Sequence, residues 1–190
     1  MQYVYQYLFH VLWISYLIYW WIMSRNVKQT VRTESLLSRL TRSVAIILAG
    51  LLLILPKIPI LFLDLRFLPL SNLCYWIGVI ITAGGLYFSV WARRYLGKNW
   101  SQAVTIKEDH KLITNGPYAL ARHPIYTGLL FGFVGTSIAL GEWRGVFAVV
   151  LVFVVLLHKL RLEEKWLREE FGESYEIYCQ RVSALVPFII

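Results

Sequence analysis

The feature that most constrains this chain is its succession of long apolar runs almost free of charge. Residues 1–24 contain no Asp, Glu, Lys or Arg, and a helix of that length crosses the roughly 30 Å hydrocarbon core of a bilayer. Further apolar runs cover residues 43–63, 73–92, 124–140 and 146–157. Hydrophobic residues make up 58% of the 190 and charged residues only 16%, more apolar side chain than a small globule can bury. The expected class is all-α: an integral membrane protein of five transmembrane helices, with residues 1–92 as an N-terminal helical part and 93–190 as a second part carrying the chemistry.

Local signals set the expected boundaries. The first run lacks the basic start and small-residue cleavage site of a signal peptide and reads as a retained span. Tyr3, Tyr5 and Tyr7 at one end and Tyr19, Trp20 and Trp21 at the other suit interfacial belts. The second run meets Pro56, Lys57 and Pro59, which predicts a span that is short or kinked near its exit. Arg93 and Arg94 stop the third. Residues 98–122 form a long connection with a turn signal at Asn115-Gly116-Pro117. The fourth and fifth runs are joined by the link 141–145 into a helical hairpin. Beyond it, residues 158–171 keep helical character but are highly charged, so this helix is expected to project from the membrane and stop at Gly172. Gly84-Gly85, and the stripe of Gly128, Gly132 and Thr136, suit close helix packing in lipid.

Charge orients the bundle. The net charge is +8, yet Lys and Arg are confined to segments between apolar runs: five in 24–43, six in 93–123 and five in 158–190, against Lys57, Arg66 and Arg144 in the other loops. Basic residues collect on the cytoplasmic side, so the expected topology has the N-terminus outside and the C-terminus cytoplasmic. No nucleic-acid motif accompanies the charge; its expected partners are membrane lipids, including anionic headgroups. Cys74 and Cys179 fall near opposite faces in this topology and are expected as free thiols. Their spacing supports no metal site.

The residues with chemical potential cluster in the basic segments of the second half. Arg122-His123-Pro124 stands at the entry to the fourth span, where Pro at the first helical position loses no hydrogen bond. A helix N-terminus presents unpaired N–H groups and a partial positive charge, suited to a carboxylate or phosphate; the plainer alternative is an interfacial boundary touching headgroups. Glu163 and Glu164 follow the fifth span by about one turn. Lys159 lies some 40° around the helix from Glu163, whereas Arg161 falls near the opposite face, and a simple surface ion pair between Lys159 and Glu163 is an equally open reading.

The ordered run of His110-Lys111-Leu112-Ile113, Gly116-Pro117-Tyr118, Arg122-His123-Pro124-Ile125-Tyr126-Thr127-Gly128, a hydrophobic hairpin, Glu163-Glu164 and Phe171-Gly172-Glu173-Ser174-Tyr175 resembles the isoprenylcysteine carboxyl methyltransferases, within a broader group that includes phospholipid methyltransferases. The resemblance covers roughly residues 95–190. It implies a carboxyl O-methyltransferase using S-adenosylmethionine (SAM) in a cytosol-facing pocket, with a lipidic substrate entering from the bilayer. By the same resemblance, His110, Lys111, Leu112, Ile113 and Tyr118 line the adenosine end of the cofactor. His123, Pro124, Ile125 and Tyr126 hold its methionine end, and Glu163 is a further contact. The family's arginine for the substrate carboxylate falls on Lys159, with Arg161 nearest in sequence; lysine offers a point charge where arginine offers a planar fork. The alternatives are a phospholipid amine N-methyltransferase and a membrane protein that binds SAM without turnover.

Overall fold

The structure, a computed structural model, describes residues 2–24, 30–58, 60, 62–97, 105–107 and 112–185, with backbone alone for 2–6, 30–33 and 105–107. Six helices carry the fold among these residues: α1 (Gln2–Met23), α2 (Leu36–Ile54), α3 (Asn72–Leu96), α4 (Pro124–Leu140), α5 (Trp143–Phe171) and α6 (Glu173–Arg181). Their ends follow local chemistry. Ser35 caps α2 by accepting the Ser38 N–H at 3.3 Å, and Ser71 caps α3 by accepting that of Cys74 at 3.1 Å. Two residues before Pro56, α2 ends at Ile54, and no described residue up to Ser71 resumes a helix. The proline therefore ends the second apolar helix rather than bending it. Gly141, at φ +68°, closes α4 in the left-handed conformation that favours glycine. The fifth helix runs unbroken from its apolar portion into its charged one and stops at Gly172.

The tightest packing joins α3 to α4. A Cβ on Gly85 would stand 2.6 Å from the Gly128 carbonyl oxygen, and one on Gly78 2.5 Å from that of Gly135, so the two helices run antiparallel with backbones in contact. Thr82 Oγ1 donates to Gly132 O at 3.3 Å, and Trp13 of α1 donates its indole N–H to Thr136 at 3.1 Å. The inner face of α5, with Ala148, Val152, Leu156 and Leu160, recurs at helical spacing and joins Tyr126, Phe133 and Ala49 in one core.

Connections define two ends of the bundle. At one, β1 (Thr30–Thr33) pairs antiparallel with β2 (Thr105–Lys107), and Arg93 reaches the Met23 carbonyl at 2.8 Å. At the other, Phe67 N–H bonds Gly141 O at 2.9 Å, and Arg144 Nε lies 2.6 Å from Glu142 Oε2. The small ribbon corrects a purely helical expectation. Its strands, TVRT and TIK, are rich in β-branched residues but too short to stand out inside basic connections.

Three helices, α2, α3 and α5, are long and apolar enough to cross a membrane; Tyr7–Met23 of α1 and all of α4 are shorter apolar helices. Leu17, Ile47, Ile80 and Val150 stand exposed on the outside of the bundle, which suits hydrocarbon surroundings rather than water. Cys74 and Cys179 are free thiols.

Adjacent glycines give a test of the α3–α4 contact. Gly85→Ala is expected to destabilise the protein by about 1–3 kcal/mol through overpacking, while Gly84→Ala, whose Cβ meets nothing within 4 Å, leaves stability equal or slightly higher. Thermal unfolding of both variants in detergent measures the difference.

Candidate functional site

Arg122 gathers the residues at the ribbon end of the second half. Its Nε and Nη2 donate to one Glu164 oxygen at 2.9 and 2.7 Å, and Nη1 donates to the carbonyls of Cys179 at 3.2 Å and Val182 at 2.5 Å. The Arg122 and His123 N–H groups bond the carbonyls of Ser183 and Ala184, each at 2.9 Å, and Thr127 Oγ1 donates to Leu185 O. The segment after α6 thus lies across the start of α4. A helix N-terminus read from sequence as open to an anion is covered by chain: His123 and Pro124 are buried, and the Tyr126 and Thr127 N–H groups turn back to the His123 carbonyl.

Glu164 lies seven residues beyond the end of the uncharged apolar run 146–157, outside the part that suits a membrane. Burial acts most strongly on its carboxyl and favours the neutral form, but His123 and Arg122 together outweigh it and bring the pKa from an ordinary 4.5 to about 2. A second contact comes from Arg168, one turn along the helix at 3.4 Å.

Neighbouring Glu163 faces a different set. The Tyr126 hydroxyl donates to it, and the His123 and Tyr126 rings stack with centroids 5.3 Å apart and planes 5° from parallel. Lys159 places Nζ 5.0 Å over the Tyr126 ring, a cation–π contact. His123 Nδ1 is 3.7 Å from Glu163. Its Nε2, 3.4 Å from Glu164, is buried without an aligned hydrogen bond. Glu163 keeps 32% of its side chain exposed against 9% for Glu164, so Glu163 is the carboxylate able to meet a ligand.

Helix geometry explains which α5 residues meet. Lys159 and Glu163 are one turn apart on the buried side, and Arg161 is exposed. Tyr118 is buried in the short 3-10 turn Gly116–Ala119, where its carbonyl accepts the Tyr178 hydroxyl at 2.5 Å. Burial, then the Glu163 carboxylate, push the Tyr118 hydroxyl pKa up. Leu112 and Ile113 are half-buried just before that turn, and Ile125 is half-buried beside Tyr126. His110 and Lys111 lie outside the described residues.

Two residues at this end were not anticipated. Glu34 and Arg42 form a buried bidentate pair, with Nη1–Oε2 at 2.8 Å and Nη2–Oε1 at 2.5 Å, and Ser38 donates to Glu34 at 2.8 Å. Arg42 lies within electrostatic reach of Tyr126 and Glu163, and both members of the pair act on Lys159. An arginine just before an apolar run reads as a boundary marker, and nothing local links it to residues more than a hundred positions later.

A family profile described as phospholipid methyltransferase matches residues 73–174, more than half of the chain. The chain belongs to the phospholipid methyltransferase family. Its relatives include the probable protein-S-isoprenylcysteine O-methyltransferase of Oryza sativa subsp. indica, 35% identical over 60% of this chain and 64% of the relative. The protein-S-isoprenylcysteine O-methyltransferase of Saccharomyces cerevisiae is 32% identical, over 68% and 56%. A Cupriavidus metallidurans protein named as a cobalt-zinc-cadmium resistance protein is 31% identical, over 59% and 51%. The chain spans between about half and two thirds of the length of these relatives. The family match takes in all but the first residue of α3 and the whole of α4 and α5, hence Tyr118, His123, Tyr126, Lys159 and Glu163. Together with the apolar helices it makes this phospholipid methyltransferase family member a membrane protein.

The depressed Glu164 pKa gives a pH dependence of defined sign. Its stabilisation is fully present above pH 4.5 and is lost as pH falls toward about 2. Glu164→Gln is therefore expected to be less stable at neutral pH and to lose less stability across that acid window, as followed by thermal unfolding against pH.

Proposed function

We propose that this protein is a SAM-dependent methyltransferase that esterifies the carboxylate of an isoprenylcysteine or a similar lipidic acid. The observation that carries the proposal is the convergence of His123, Tyr126, Lys159 and Glu163 at one end of an apolar bundle. They lie within residues 73–174, matched to the phospholipid methyltransferase family, and relatives of this chain are named as isoprenylcysteine O-methyltransferases. The residues fit the cofactor: Glu163 offers a partly exposed carboxylate to an ammonium, beside the stacked rings of His123 and Tyr126. Leu112, Ile113 and Tyr118, with His110 and Lys111 by resemblance, would hold the adenosine end; Pro124 and Ile125 would flank the methionine end. Bound there, SAM would supply an electrophilic methyl group on a sulfonium.

The protein's own residues then orient and shield. A carboxylate with an ordinary pKa near 4 is already ionised at neutral pH, so no general base is required. Lys159, buried over the Tyr126 ring, draws the substrate carboxylate into line. Tyr126 and His123 fix Glu163. The surrounding apolar core limits water, which raises the value of correct alignment. In the proposed topology five helices span the bilayer, the ribbon end and the C-terminus are cytoplasmic, and the N-terminus is outside. The Lys/Arg excess in segments 24–43, 93–123 and 158–190 supports this orientation, as does the pairing of the first two of those segments in the ribbon. A lipidic substrate would then enter from the bilayer.

The family description favours one other reading, methylation of a phospholipid amine, in which His123 would act as base. The product separates the two, since a methyl ester is labile to base and a methylamine is not. SAM binding without transfer to either class of acceptor would leave a non-catalytic binding protein.

SAM at about 100 times its dissociation constant is expected to stabilise the protein by roughly 2.7 kcal/mol, with a smaller shift for Glu163→Ala; differential scanning fluorimetry and calorimetry without any response remove the cofactor assignment. In turnover assays Lys159→Ala is expected to lose about 10- to 100-fold in kcat/KM, the scale of one charge-assisted hydrogen bond, with SAM affinity near wild type. Arg161→Ala is expected to change little. The reverse pattern would transfer the carboxylate role to Arg161.

A further inference from the structure

A lysine alone is a poor clamp for a carboxylate, because an ammonium is a compact charge without the planar donor pair that matches two oxygens. The nearest exposed arginine on the same helix, Arg161, does not face the site. A buried guanidinium does reach this region from α2. Arg42 stands near the start of that helix, on the element that packs against α5, and is 9% exposed. Lys159, on α5, is equally buried.

Arg42 carries five N–H donors, and its hydrogen bonds to Glu34 use two of them. Among the described residues no hydrogen bond uses the remaining edge. Glu34 is itself fixed by Ser38, so the guanidinium is held in one orientation before any ligand arrives, and pre-organisation of this kind spares ordering entropy on binding. Glu34 follows the ribbon strand β1 directly and α2 packs against α5, so the pair stands at the same end of the bundle as Lys159 and Glu163, within electrostatic reach of both.

We propose that Arg42 grips the substrate carboxylate beside Lys159, supplying the planar fork that α5 lacks, with Glu34 as the positioning residue that aims it. This assignment rests on the carboxyl methyltransferase reading above. It places the acid group of the substrate between α2 and α5, so that selectivity for a carboxylate over a neutral head depends on a residue outside the stretch matched to the family.

The test compares N-acetyl-S-farnesylcysteine with its carboxamide, which has the same lipid and no charge. Removing one member of a buried ion pair strands the other, so the variants are Arg42→Lys, which keeps the charge but not the fork, and the double substitution Arg42→Gln with Glu34→Gln, which removes both charges. In each, the KM for the acid and the competitive Ki of the carboxamide are measured beside SAM affinity and thermal stability. The preference for acid over carboxamide is expected to fall about 10- to 100-fold in the double variant and less in Arg42→Lys, with SAM affinity unchanged.

A merely structural pair would lower stability and SAM affinity while leaving the acid-to-carboxamide ratio intact. An intact ratio in a folded variant, from an enzyme whose wild type methylates the acid, overturns the role of Arg42 and leaves the function standing. Wild-type protein that methylates phosphatidylethanolamine instead of the acid, or methylates neither, overturns the carboxyl methyltransferase reading and this assignment with it.

Discussion

The Arg122 guanidinium is the interaction on which the geometry of the site depends. It bonds a buried carboxylate on α5 and two carbonyls of the chain around and after α6, while its own backbone sits one residue before the start of α4. Breaking the buried pair from one side would leave an uncompensated charge, so the elements it joins are held as a set. Because successive residues on a helix point about 100° apart, fixing Glu164 toward Arg122 turns Glu163 toward Tyr126. The buried carboxylate and the partly exposed one are adjacent in sequence and face different partners.

A second constraint keeps that set in register with the rest of the molecule. The α3 and α4 backbones touch through paired glycines, and α4 passes to α5 through Gly141 and Glu142 alone. Three consecutive long helices therefore move little against one another. α2 joins this frame through α5 and brings Arg42 and Glu34 with it. In a bilayer, where apolar contact with a neighbouring helix has little advantage over contact with lipid, such close backbone approach and a few interhelical hydrogen bonds give the packing its specificity.

Much of this was legible from local signals. Pro124 as the first residue of α4, Gly172 after the last residue of α5, and the shared face of Lys159 and Glu163 all follow from rules that act within one or two turns. Pro56 marked a disturbance, and the structure resolves it as a helix end. The helix N-terminus expected to be open at His123 is instead covered by residues 183–185, whose carbonyls meet Arg122, His123 and Thr127. That cover, the pairing of residues 30–33 with 105–107, and the packing of the Arg42-bearing helix α2 against α5 all join positions tens to more than a hundred residues apart. Each involves residue types that are ordinary where they stand, so no periodicity or spacing announces them. The family match, confined to residues 73–174, carries no information about Arg42 either.

The segment at residues 182–185 has a consequence for how the molecule comes into being. It is synthesised after all six helices, yet its carbonyls accept the amide N–H groups of Arg122 and His123. While the ribosome is still making α6, the earlier helices can already enter the lipid, but the charged cluster lacks its lid and Arg122 lacks one of its carbonyl partners. Maturation of the site is thereby timed to the last described stretch of the chain, and a nascent chain halted before that point would hold an assembled bundle with an unfinished centre.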